Sequence, residues 1–213
     1  MKKHYFLVVS SILLIFSIVA FSDNLITDVA QKSNSDPKYI IHGLFCFAWF
    51  IILLIQTNFI RKGNNKAHTS FGIAGLIAAI GVFVTTLYIF VVVFKGWTIM
   101  EPMVKANRFL MMGFAILVSF AYLKRKKVDY HKRLMLVASF FMLGPILSRI
   151  MARTNLDSIL ISDLSWDITI FGTWSSFFVS LFIYDWTIIR RFHPTTYLSF
   201  VTFCIIWTIS FYL

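Results

Sequence analysis

The chain has 213 residues, of which 59% are hydrophobic, 18% aromatic and only 14% charged, and its mean hydropathy is +0.80. A soluble globular domain carries roughly 25% charged residues, so the composition excludes that class and predicts an all-α polytopic membrane protein. The net charge of +11 would point to nucleic acid in a soluble chain, but Lys and Arg collect in the cytoplasmic loops of membrane proteins, and that explanation is tested first.

A membrane-spanning helix needs about 20 mostly apolar residues, and about 17 are tolerated. Seven stretches qualify: Tyr5 to Phe21, Tyr39 to Ile60, Ser70 to Phe94, Arg108 to Leu123, Leu134 to Ile150, Trp166 to Ile188 and Thr195 to Leu213. The first also resembles a signal peptide, since Met1-Lys2-Lys3 and an apolar run lead to Ala20-Phe21-Ser22 ahead of Asp23; the retained helix is the preferred reading. The longest connection runs from about Ser22 to Lys38, too short for a soluble domain, so residues 1–213 read as a single transmembrane domain.

Charge sets the orientation. With a cytoplasmic N-terminus, the inner segments hold 13 basic residues against two acids, Asp129 and Asp185, and the outer loops hold seven against seven. The entire excess then lies inside, as the positive-inside rule requires. This predicts a seven-helix bundle with the C-terminus outside, attracted to anionic lipids. Nucleic acid is not needed as a partner. Helices two and three, four and five, and six and seven then form hairpins that turn in the cytoplasm.

Each of those turns is basic and carries one histidine at the mouth of the next helix: His68 in RKGNNKAHTSFG, His131 in KRKKVDYHKRLML and His193 in RRFHPTTY. Basic neighbours and the positive end of a helix both disfavour protonation of an imidazole. The neutral form is the one that ligates metal or haem iron. Two histidines on facing helices at similar depth would serve a transmembrane haem b as axial ligands, and His68 with His131 is the pair favoured. A transition-metal site would draw on His68, His131, His193 and Asp185. His42, on the outer side, is a further cofactor-facing candidate without a histidine partner at its depth. Interfacial histidines that merely snorkel among headgroups are the structural alternative.

Asp185 is the one acid well inside an apolar run, and an acid at membrane depth is a functional candidate by default. Its nearest partners in sequence are Arg190, Arg191 and the His193 loop. The third segment carries Gly72, Ala74, Gly75, Ala78 and Ala79, the small-residue spacing of a tight helix interface. His42, Trp49 and Gln56 share one face of the second segment. Thr169, Thr173, Ser176, Ser180 and Tyr184 share one face of the sixth, which would face protein or a wet cavity. Gly144-Pro145 predicts a kink whose freed carbonyl needs another partner.

Motifs for serine or zinc hydrolysis, nucleotide binding and dinucleotide binding are missing from the sequence. The last helix lacks the lysine that retinal would need, and the His-xxx-His pair of seven-helix metal hydrolases is missing as well. Cys46 and Cys204 both lie in apolar runs and make neither a disulfide framework nor a zinc motif.

HTSFG after one basic loop, and HKRLMLVASFFMLGPILSR after another, resemble small uncharacterised bacterial multi-pass proteins with HRxLG-like and HKRLM-like signatures. The second motif is also similar to a small membrane factor of haem-copper cytochrome oxidase assembly. The likeness covers roughly His42 to Arg149, and Thr69 stands where a basic residue would be expected after His68. It implies a respiratory or haem-related setting with His68 and His131 at the motif positions. The leading expectation is a protein that binds haem or a metal ion in electron transfer or oxidase biogenesis. The alternatives are a non-catalytic membrane subunit or scaffold among other membrane subunits, and then a small transporter or a zinc-dependent hydrolase.

Overall fold

The chain is all-α, and no strand occurs among the described residues. The computed structural model describes residues 4–27, 32–154, 156, 159–160 and 162–213; Lys2, Lys3, Asp28 and Asp157, which entered the charge count, lie outside them. The helices are α1 (Tyr5–Ala20), the short α2 (Lys32–Ser35), α3 (Pro37–Arg61), α4 (Asn65–Val92), α5 (Pro102–Leu123), α6 (Val128–Phe140), α7 (Leu143–Arg153), α8 (Asp163–Ile189) and α9 (Pro194–Ser210), with a π-helical stretch over Asp23–Thr27.

Four of them, α3, α4, α5 and α8, are long and apolar enough to cross a membrane, and α6 with α7 makes a fifth if the two are one span bent by 46°. The remaining two candidates, α1 and α9, are apolar but only 16 and 17 residues long, at the lower limit for spanning. The helix starts obey local chemistry. The Asp36 carboxylate accepts from the Lys38 amide ahead of Pro37, Asn64 accepts from the Ala67 amide, and Ser162 and Ser165 form a reciprocal capping box. Each satisfies amides that the first helical turn leaves without partners.

Several starts differ from expectation: α4 begins at Asn65 rather than Ser70, α5 at Pro102 rather than Arg108, and α6 at Val128 rather than Leu134. The fourth segment begins at Pro102, two turns before Arg108, because a proline suits the first helical position and the stems of Lys105 and Arg108 can lie along the helix. Lys105, assigned to an outer loop by sequence, is 7% exposed within α5.

The chain divides into two compact units, Met1–Val93 and Phe94–Leu213. In the first, α3 and α4 form a hairpin through Gly63, whose φ of 74° is left-handed, and α1 packs on α3. Gly75, Ala78, Ala79, Val82 and Thr86 form the buried face of α4. A methyl group on Gly75 would meet Ile52 of α3 at 3.4 Å, and one on Gly81 would overlap the Phe45 ring. The small-residue spacing thus permits the close approach it implied.

In the second unit α5 packs on α6 and α9, α7 on α8, and α8 on α9. The core of the α8–α9 pair is aromatic: Phe203 stacks on Phe171 and Phe178 with centroids 5.6 and 5.4 Å apart. The helix break falls at Phe141–Met142, just ahead of Gly144-Pro145. There the Trp174 indole N–H donates to the Phe140 carbonyl at 2.7 Å, and its ring lies 3.0 Å from where a Gly144 methyl would be. That indole is the partner the interrupted helix requires.

Candidate functional site

The strongest polar constellation lies in the second unit, where α6 begins and α8 turns into α9. Arg190 takes a left-handed φ of 55° and reverses the chain after α8. Pro194 opens α9, and His193 caps it with Nδ1 accepting from the Thr195 amide at 3.2 Å. This turn brings the start of α9 back onto Asp185, one turn from the end of α8.

Asp185 and Arg133 are both fully buried. Arg133 Nε donates to Asp185 Oδ1 at 2.8 Å, and Nη2 lies 2.6 Å from the same oxygen without the alignment of a hydrogen bond. Asp185 Oδ2 accepts from the His193 amide at 3.1 Å and from the Thr196 hydroxyl at 2.6 Å. Arg133 Nη1 donates to the Asp129 carbonyl at 2.9 Å. Asp129 in turn pairs with Lys132 at 2.8 Å, and Lys132 Nζ donates to the Tyr184 hydroxyl at 3.4 Å. Buried charges survive only when paired and hydrogen-bonded, and here one carboxylate joins three helices through four contacts.

The sequence named Asp185 but not its partner. Arg133 counted as one more cation of the basic loop, whereas it is enclosed and reaches across 52 residues in preference to the nearby Arg190 and Arg191. Two signals pointed to it: Asp129 stands four residues earlier, and an unbroken apolar run follows at once.

No family model, curated protein or solved structure matches the chain.

Of the four candidate histidines, His131 and His193 belong to the second unit. His131, in the first turn of α6, donates from Nδ1 to the Ala121 carbonyl at the end of α5, 2.9 Å away. His193 packs edge-on against Tyr130 at 4.5 Å between centroids. Burial first, and then the positive charge of Arg133, hold its imidazole below the ordinary range against the opposing pull of Asp185 and Asp129. With Nδ1 accepting an amide proton, the neutral ring carries its own proton on Nε2, so neither nitrogen in this arrangement presents a lone pair to a metal.

His68 and His42 belong to the first unit. His68 stands in the first turn of α4, and its carbonyl accepts from Gln56 of α3 at 3.1 Å. His42 Nδ1 lies 2.9 Å from the Thr85 hydroxyl, which itself donates to the Gly81 carbonyl at 2.6 Å, so Thr85 accepts and His42 donates. Cys46 Sγ is 3.4 Å from His42 Nε2. The shared face of His42, Trp49 and Gln56 thus packs toward α4, with Trp49 1% exposed. The favoured ligand pair, His68 with His131, is divided between the two units. Among the described residues, no three His, Cys, Asp or Glu side chains gather as a metal-binding group.

Three hydroxyls of the α8 stripe turn back on their own helix, while the Tyr184 hydroxyl accepts from Lys132 of α6. Thr169, Ser176 and Ser180 donate to the carbonyls of Ser165, Thr173 and Phe177 at 2.8, 2.6 and 2.7 Å. The buried face is the neighbouring one, Ile170, Trp174, Phe178, Leu181, Tyr184 and Asp185.

Proposed function

We propose that this chain is a multi-pass protein of the bacterial inner membrane, with a cytoplasmic N-terminus and a basic face among anionic lipids, that acts as a non-catalytic subunit or scaffold beside other membrane subunits. The observation that carries this reading is the closed network around Asp185. A fully buried acid, a fully buried arginine and the His193 cap hold helix ends together, and each polar atom so engaged is withdrawn from chemistry. A buried pair of this kind supports specificity of packing rather than reactivity.

The second reading is a haem b or transition-metal protein in electron transfer or oxidase biogenesis. It is favoured by the tautomer of His131, which donates from Nδ1 to a backbone carbonyl, the orientation in which Nε2 serves as a ligand. An absorption spectrum and metal analysis of the purified full chain separate the two. A Soret band or stoichiometric metal that is lost in His68→Ala or His131→Ala would establish the second reading and overturn the first. A colourless, metal-free protein that keeps its helicity supports the scaffold.

A further inference from the structure

Beside the turn between α8 and α9 lies a half-open cleft of about 410 Å³ that the network around Asp185 does not fill. Its polar lining consists of Tyr130, Arg191, His193 and Asp129, and its apolar wall includes Ile189 and Phe192. Phe192 is held in place by edge contact with Phe182 at 5.0 Å and by Trp186 at 5.7 Å.

The donors in this cleft exceed the acceptors. Asp129, the carboxylate in its lining, is already met by Lys132 at 2.8 Å and Arg133 at 3.4 Å. Arg191 has no partner among the described residues, nor has the Tyr130 hydroxyl. His193 is 7% exposed, and its cap fixes the proton on Nε2, a donor likewise without a partner among them. The start of α9, a 17-residue helix, adds the positive end of its dipole. Counting Asp129 and Asp185 against Lys132, Arg133, Arg190 and Arg191, the surroundings carry two net positive charges.

We infer that this cleft is a phosphate site, in which Arg191, Tyr130 and the His193 Nε2–H bind the anionic phosphate of a phospholipid headgroup while Ile189 and Phe192 take the start of its chains. Arginine pairs with phosphate through two parallel N–H donors. The acceptor-only chemistry of a phosphate oxygen suits three unmatched donors. The general attraction of basic loops to a negative surface needs no such cleft. The site rests on the membrane reading above, which sets this turn at the headgroup level.

The test is calorimetric titration of the detergent-solubilised full chain with dihexanoyl phosphatidylglycerol, dihexanoyl phosphatidylcholine and inorganic phosphate. Phosphatidylglycerol should bind saturably at one per chain, and Arg191→Ala and Tyr130→Phe should each weaken it roughly tenfold, a change of about 1.4 kcal/mol. Competition by inorganic phosphate would identify the free anion as a sufficient ligand; its failure to compete would assign the site to the lipid. Equal binding of the two lipids, unchanged binding in both variants or an absence of saturable binding would overturn the proposal. Arg191→Gln replaces Arg191→Ala if the latter does not fold. Labelling Lys126→Cys with an impermeant maleimide in intact cells and inverted vesicles reads the orientation separately, so an error there is distinguishable from failure of the site.

Discussion

Arg133 of α6 donates Nε to Asp185 of α8 at 2.8 Å, and both side chains are fully enclosed. Arg133 alone changed to Met leaves a buried carboxylate without its cation, and we expect a loss of roughly 3–5 kcal/mol. Asp185→Asn should cost a similar amount, because it leaves Arg133 as a buried cation facing a neutral amide. The double change should recover most of the loss, since removing both charges also removes their desolvation. Thermal unfolding in detergent of all four proteins checks this; equal losses in the single and double variants would refute a pairwise role.

His193 links stability to pH. Its folded-state pKa is depressed from the ordinary value of 6.5, so the unfolded chain takes up the proton first as pH falls. The stability from neutral His193 is therefore complete above about pH 6.5 and is lost as pH drops through the lower folded value. Arg133, Lys132 and Asp129 on α6, Asp185 on α8, and Arg191 in the turn are the charged groups around it. His193→Asn, which retains a capping acceptor, should flatten the dependence of melting temperature on pH below about 6.5, and His193→Ala should add a cap loss of about 1 kcal/mol.

Trp174 serves the break between α6 and α7. Trp174→Phe keeps a ring beside Gly144 but leaves the buried Phe140 carbonyl without its 2.7 Å donor, and we expect a loss of about 1–3 kcal/mol. Melting temperature and the accessibility of a cysteine placed at Met142 report the two consequences. An unchanged melting temperature would mean that the carbonyl finds another donor.

Gly81 sets the separation of α3 and α4. Gly81→Ala drives a methyl into the Phe45 ring, an overpacking that typically costs about 1–3 kcal/mol. Phe45→Leu in the same chain should restore much of the loss. Failure of that rescue would locate the strain elsewhere.

How much was legible from the sequence depends on the range of the interaction. Each apolar segment falls on helix, the fifth on two helices with a break between them, because a long apolar run satisfies its backbone most readily by internal hydrogen bonds. The starts at Pro37, Pro102 and Pro194 are local as well, since proline's missing N–H costs nothing there. The fourth segment was drawn six residues short because Lys105 read as a loop residue, although long basic side chains can lie along an apolar helix. The histidines were correctly placed at helix starts, but their partners were not. Ala121, Thr85 and Tyr130 are at distances in sequence that no periodicity reports.

By itself, then, the sequence determined an all-α chain of apolar helices, their approximate limits and three basic stretches with a histidine at each helix start, all consequences of composition and of interactions within a few residues. The tertiary structure decided which charges are enclosed. Arg133 and Arg191 are the same residue type and both belong to basic stretches of the sequence. Only the reversal at Arg190, which brings α9 back over Asp185, makes one a buried counter-ion and leaves the other at the rim of a cleft. That difference is one of desolvation, a property of the packed surroundings rather than of the residue.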